Sequence, residues 1–332
     1  MINRPTRQRE LRAPRRVKAL GRAHARLALC LTERDRWILR MCHEHRVLTT
    51  PQLTALTFGS PSRARRRLAA LHDYALLERF RPLRSIGTAP THWVLAPAGA
   101  AVLAAQAGIE LRELGFRPDR ALAVAHSLHL AHTIGVNEWF ITLATTARAT
   151  GSAALLAWWS ENRCRALWGD LVIPDGYGRY THAGATLDFF LEFDLATMAL
   201  PTVAGKLHGY AELARTSGVI TPVLVWVPVG SREAAARKAL RNIWAGLRDP
   251  AAVPVATAAA DLLPTTDPAA SPAAPVWLGL DSTDGTRVAL PDLAVRWPRV
   301  TPAPASVPVA PHSRYAVLTP PPPCPPPEAG ER

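Results

Sequence analysis

Leu187-Asp188-Phe189-Phe190-Leu191-Glu192-Phe193-Asp194 reads as one β-strand with two unlike faces. Side chains alternate along a strand, so Leu187, Phe189, Leu191 and Phe193 share one side and Asp188, Phe190, Glu192 and Asp194 the other. Asp188 suits the start of the strand or the surface. Glu192 and Asp194 interrupt an otherwise apolar run and project side by side. Two such carboxylates repel each other unless a cation or an arginine offsets them.

The segment before this strand is Leu171-Val172-Ile173-Pro174-Asp175-Gly176, which places Asp175 at the end of a strand expected over Trp168–Pro174. Asp175, Glu192 and Asp194 together form a candidate centre for a hard divalent cation. Mg²⁺ or Mn²⁺ would take their oxygens and keep positions open for water and phosphate. A metal so held activates water for phosphodiester attack. Lys206 and Tyr210 lie one helical turn apart on the next helix and share a face. Lys206 could orient water or offset phosphate charge, and Glu161 could add a further acid. Each has a plainer reading: Glu161 as a solvated strand end, Lys206 as an exposed helix residue.

Outward from this centre the pattern is α/β. Strands are expected at Ala154–Trp159, Trp168–Pro174, Thr186–Asp194, Val223–Val227 and Val253–Ala256, and helices at 199–217 and 231–248. Three consecutive strands predict an antiparallel meander. Helical crossovers then predict parallel pairing, which makes the sheet mixed. The domain is expected to span 121–257.

The N-terminal part has a different character. Residues 1–120 hold 23 Lys+Arg against 9 Asp+Glu, a net of +14, whereas the rest is close to neutral. Attraction to a polyanion belongs to this part. Residues 1–29 form a basic arm. From 30 to 97 three short helices start at Thr32, Thr49-Thr50-Pro51 and Ser60-Pro61, each with a capping residue or an early proline. Strand-like segments Leu76–Arg81 and Thr91–Leu95 flank a Gly/Pro-containing loop and predict a hairpin. Helices followed by a hairpin make a winged helix. Its third helix carries Arg63, Arg65, Arg66 and Arg67, with Ala64, Leu68 and Leu71 as the buried stripe. Arg63, Arg66 and Arg67 are expected to point outward. Arg79, Arg81 and Arg84 sit in the adjoining wing. These seven arginines are the candidate DNA-binding residues. Residues 98–120 read as a linker helix.

A long helix is expected from about 120 to 149, with His126, His129 and His132 on it. A rise of 1.5 Å per residue puts His126 about 9 Å from His132, so one ion cannot bind all three. The four cysteines make no CxxC pair, which excludes a zinc ribbon. No run of about 18 apolar residues appears, and a cytosolic, cytoplasmic protein is the default. Residues 258–332 are Ala/Pro-rich and read as a tail, with a small hairpin at 276–290 and an extended spacer over the prolines of 320–327.

Together these residues resemble the replication-relaxation family of plasmids and integrative elements. The resemblance rests on Leu31–Phe80 with its Arg63–Leu71 core, His126, Pro174-Asp175, Phe190–Asp194, Lys206 and Tyr210. It implies an α+β chain: a winged helix, then a restriction-endonuclease-like mixed-sheet domain, then the Pro-rich tail. It implies a role in plasmid replication and DNA relaxation, with metal-dependent nicking as one mode. A non-catalytic replication or transcription regulator is the alternative. That nuclease fold's motif is Pro-Asp, an acid, a spacer and a Lys. Asp175 and Glu192 match the acids, and Asp194 stands where the Lys is expected. Either Lys206 is a migrated lysine, or the centre binds metal poorly and the domain is structural. The partners implied are double-stranded DNA, other replication or conjugation proteins, and a second copy in a homodimer.

Overall fold

The computed structural model describes residues 31–83, 87–127, 129–264, 267, 270–300 and 318–326. The fold is mixed α+β, with a three-stranded antiparallel sheet and a six-stranded mixed sheet. Two compact units are present: Met1–Ile141 with Arg314–Arg332, and Thr142–Ser313. The basic arm expected at 1–29 and Arg84, expected in the wing, lie outside the described residues.

In the first unit, α1 (Glu33–Glu44) starts at a reciprocal capping box. Asp35 Oδ2 accepts from the Thr32 N–H at 2.8 Å, and Thr32 Oγ1 accepts from the Asp35 N–H at 3.2 Å. After β1 (Leu48–Thr49), α2 (Thr50–Thr57) is capped the same way by Thr49 and Gln52. α3 (Pro61–Asp73) starts at Ser60 with proline in its first turn. β2 (Leu77–Phe80) and β3 (His92–Leu95) pair antiparallel, and β1 joins the other edge of β3. Ile38, Leu39, Met41, Leu53, Leu56, Leu68, Leu71 and Phe80 are fully buried. The helical spacing of the first seven gives each of the three helices a buried face, and Phe80 on β2 packs with Val47 and Val94. α4 (Pro97–Ala107) ends at Gly108, whose φ of 67° suits glycine. The helix expected over 120–149 is broken. α5 (Pro118–Ala123) and a 3₁₀ turn at Val124–His126 precede α6 (Leu130–Thr150).

The second unit contains β4 (Ala153–Ser160), α7 (Glu161–Trp168), β5 (Gly176–His182), β6 (Ala185–Phe193), α8 (Leu200–Ser217) and β7 (Val223–Val227). α9 (Gly230–Ala245), β8 (Val255–Ala259), β9 (Leu278–Gly279) and α10 (Asp292–Arg296) complete it. The strand order is β4-β5-β6-β7-β8-β9. β4, β5 and β6 form the expected antiparallel meander. β6, β7 and β8 are parallel, with α8 and α9 as crossovers. One core gathers Trp159, Tyr177, Phe190, Leu207, Tyr210, Val225 and Leu240 between the sheet and its helices.

Three further expectations are corrected. Trp168–Pro174 is not a strand: Ser160 accepts from the Arg163 N–H at 3.3 Å and starts α7, which runs through Trp168. The middle strand is Gly176–His182, whose glycines and polar residues hide its β character. The unit also does not end at 257. Arg237 on α9 donates to the Thr257 hydroxyl at 2.9 Å, the Leu278 carbonyl at 2.5 Å and the Gly279 carbonyl at 2.9 Å. Buried Glu233 receives Arg287 at 2.7 Å and the Thr257 hydroxyl at 2.6 Å. These bonds hold β9 on the sheet edge. The hairpin expected at 276–290 is reduced to one bridge, in which Trp277 and Val288 exchange hydrogen bonds of 3.1 and 2.8 Å.

Candidate functional site

Three elements bring Asp175, Glu192 and Lys206 together in the second unit. Asp175 immediately precedes β5 and is pinned against β6. Its own N–H donates to the Leu191 carbonyl at 3.0 Å, and its Oδ2 accepts from the Phe193 N–H at 2.8 Å. Glu192 projects from β6 beneath α8 and is only 4% exposed. Its Oε2 receives Lys206 Nζ at 2.5 Å and its Oε1 receives the Tyr210 hydroxyl at 2.5 Å. Lys206 Nζ also donates to the Ile173 carbonyl at 3.2 Å and lies 3.8 Å from Asp175 Oδ1. The ammonium therefore stands between the two acids.

Gly209 makes this approach possible. A Cβ there would lie 2.4 Å from the Leu171 carbonyl oxygen and 2.9 Å from Val172 Cβ. Without a side chain, α8 seats directly on 171–173, the segment whose Ile173 carbonyl holds Lys206. The aromatic rings of Trp168, Phe190 and Tyr210 pack beside it, with centroids 4.9 and 5.3 Å apart in successive pairs.

Burial shapes the protonation of this group. Desolvation, and then the field of Asp175, push Glu192 up to about 7; Lys206 and Tyr210 hold it down in part. Burial alone would lower Lys206. Glu192 and Asp175 outweigh it and leave the lysine above its ordinary value. The Tyr210 hydroxyl is raised well above its ordinary value by burial and by Glu192. Tyr210 is 3% exposed and donates its proton to Glu192, so the geometry makes it an orienting group and not an accessible nucleophile.

The other expected acids go elsewhere. Asp194 leaves the end of β6 toward α9, where its Oδ2 receives Arg232 Nε at 2.7 Å. Its Oδ1 accepts from the Ala196 N–H at 2.7 Å, and Ala196 has a φ of 60° that turns the chain away. Glu161, first in α7, pairs with Arg165 at 2.5 Å and acts on Lys206 only through its charge. Asp188 is held by Arg179, its cross-strand partner, at 2.6 and 2.8 Å. Among the described residues no three His, Cys, Asp or Glu side chains group so as to hold a metal ion. The expected trio of Asp175, Glu192 and Asp194 therefore does not close on one point. The residues that complete the observed arrangement, Arg232, Gly209 and the Ile173 carbonyl, had no readable signal in the sequence beyond their residue types.

The family model described as replication-relaxation matches residues 39–225, more than half of the chain. The chain belongs to the replication-relaxation family. No curated protein and no solved structure matches it. The match spans both features of interest in this replication-relaxation protein: the arginine-bearing α3 and the acid–lysine centre. The family points to a part in the replication or relaxation of a genetic element.

In this family member the α3 arginines divide into two sets. Arg63, Arg65 and Arg66 are exposed and make no ion pair among the described residues. Arg67 does not point outward as expected. Its Nε donates to Asp35 Oδ1 at 2.7 Å and its Nη2 binds Asp35 Oδ2, a fully buried carboxylate. Arg67 thus ties α3 to the capping box of α1. Arg34, Phe58, Arg63 and Arg66 line a cavity of about 330 Å³ beside α3, and the Arg34 guanidinium lies 5.4 Å from the Phe58 ring centroid. Arg79 is half-buried on β2, and Arg81 donates to Thr91 Oγ1 at 2.8 Å across the base of the hairpin. No helix among the described residues is long and apolar enough to cross a membrane.

Proposed function

We propose that this replication-relaxation protein binds double-stranded DNA of a mobile element through its first unit. The order α1-β1-α2-α3-β2-β3 is read as a winged helix, with α3 as the helix that meets the major groove. The observation that carries the reading is the exposed row Arg63, Arg65 and Arg66, on the part of the chain that holds the net charge of +14. Guanidinium groups set on a rigid helix grip phosphate and guanine edges with paired hydrogen bonds. The second unit is read as restriction-endonuclease-like, with its centre neutralised by Lys206. The site fits an ammonium and does not fit the expected three-carboxylate metal site, because Arg232 holds Asp194 and Lys206 stands between Asp175 and Glu192.

The test is binding of a duplex from the cognate origin by the full chain and by the triple variant Arg63→Ala, Arg65→Ala, Arg66→Ala. The variant should bind at least about ten-fold more weakly. Its dependence on salt should flatten by roughly one unit of log–log slope per phosphate contact removed. Affinity and slope both unchanged would overturn α3 as the DNA surface.

A second reading, phosphodiester nicking, is favoured by the meeting of Asp175, Glu192 and Lys206, the residue types of the nuclease motif with the lysine supplied from a helix. Supercoiled plasmid carrying the cognate origin, incubated with Mg²⁺ or Mn²⁺, separates the two readings. Relaxed product from the unmodified chain, lost in Glu192→Ala and Asp175→Ala, would establish nicking. No relaxed product from the unmodified chain would remove it and leave the regulator reading.

A further inference from the structure

The segment Leu318–Pro326 is seated on α1 within the first unit, not left as a spacer. The indole N–H of Trp37 donates to the Pro322 carbonyl at 2.8 Å. Arg40 Nη2 donates to the Thr319 carbonyl at 3.0 Å, to Thr319 Oγ1 at 3.2 Å and to the Pro320 carbonyl at 3.5 Å. Pro321 and Pro323 are buried while Pro322 between them is exposed. Trp37 is 3% exposed with the segment in place.

The chemistry on the two sides is complementary. Prolines carry no N–H, so a proline run offers carbonyl acceptors alone. α1 answers with donors alone, an indole and a guanidinium one turn apart at i and i+3. Proline also fixes φ near −65°, so the run is extended before it docks and loses little freedom on binding. Aromatic-lined grooves are a recurring way in which proteins read polyproline segments.

We propose that Trp37 and Arg40 form a polyproline-binding site on α1, and that residues 318–326 of the same chain are its resident ligand. The site closes a loop of more than 270 residues between α1 and the C-terminal segment. It recognises main-chain carbonyls, the Thr319 hydroxyl and buried proline rings, so a separate proline-rich peptide of the same spacing competes for it.

The test uses the full chain with Pro321→Ser and Pro323→Ser, which weakens the resident ligand and opens the site. A fluorescein-labelled peptide of residues 318–326 is titrated and its anisotropy read. The peptide should bind the opened chain, and bind the unmodified chain at least about ten-fold more weakly because its own segment competes. Adding Trp37→Phe to the opened chain keeps an aromatic ring but removes the donor, and should weaken the peptide at least about ten-fold. Arg40→Ala, a change outside the core, should weaken it by a smaller factor without altering the fold. Equal binding to the opened chain and to its Trp37→Phe and Arg40→Ala forms would overturn the site. So would no binding to the opened chain, or equal binding of a peptide with every proline replaced by glycine.

Discussion

Glu192→Gln isolates the proton at the centre of the second unit. Burial and Asp175 raise the Glu192 carboxyl from 4.5 to about 7 in the folded chain. An acid with a raised folded value binds more protons folded than unfolded between those two values. Its contribution to stability is therefore complete below the unfolded value and is lost as pH rises through the folded one. At about 1.4 kcal/mol per unit, the loss between pH 5 and pH 8 is roughly 2.5 kcal/mol. Lys206 is raised above 10.5, so its own loss falls at alkaline pH, outside this window. Glutamine keeps the shape and the hydrogen-bonding to Tyr210 but cannot ionise. Urea unfolding at half-unit steps from pH 5 to pH 8, followed through the tryptophans, should show wild-type stability falling relative to the variant by that amount. Parallel curves for the two proteins would refute the raised acid, and with it the account of the centre as a desolvated carboxylate held by Lys206.

Three further outcomes follow from the same contacts. Arg67→Ala strands the fully buried Asp35 carboxylate and should cost about 3 kcal/mol in chemical unfolding, while DNA affinity per folded molecule stays within about two-fold. Gly209→Val drives a side chain into the Leu171 carbonyl and should cost about 1–3 kcal/mol, lowering the melting temperature. Glu233→Ala removes the acceptor shared by Arg287 and Thr257. It should cost about 3–5 kcal/mol and increase hydrogen exchange at Trp277 and Leu280, whose amides bond to Val288 and Val255.

Local rules made most of the first unit readable. Thr32, Thr49 and Ser60 each cap a helix through a hydrogen bond three residues long, and the apolar stripes around them have the helical period. What failed depends on contacts distant in sequence. β1 has two residues, too few for any period, and exists because Leu48 and Thr49 find Trp93 and His92. Gly176–His182 lacks an apolar run and is a strand because β4 and β6 pair with it on both sides. The apparent strand at Trp168–Pro174 drew on Leu171-Val172-Ile173. Those residues instead form the bend that supports α8. β9 is attached by Arg237, whose three acceptors lie 20 to 42 residues away.

Alternation along β6 assigned Asp188, Glu192 and Asp194 to one side, but a shared side is not a shared partner. Asp188 sits opposite Arg179 in the register, and Asp194 lies at the strand's end within reach of Arg232 on α9. Glu192, between them, meets α8, the crossover helix from the β6 edge, at Lys206 and Tyr210. The repulsion expected between Glu192 and Asp194 is thus relieved by Lys206 and Arg232 separately, and Asp188 is offset by Arg179. Of these, two guanidiniums form fixed ion pairs with aspartates, whereas the lysine shares its ammonium between Glu192, the Ile173 carbonyl and the nearby Asp175. Lysine is the compact point charge of the three, the one whose proton affinity burial moves readily. On the proposed nicking reading, chemistry in this unit runs through Asp175, Glu192 and Lys206. Asp194→Asn should leave any relaxation intact, and its abolition by that change would show that Arg232 releases Asp194 to the centre during turnover.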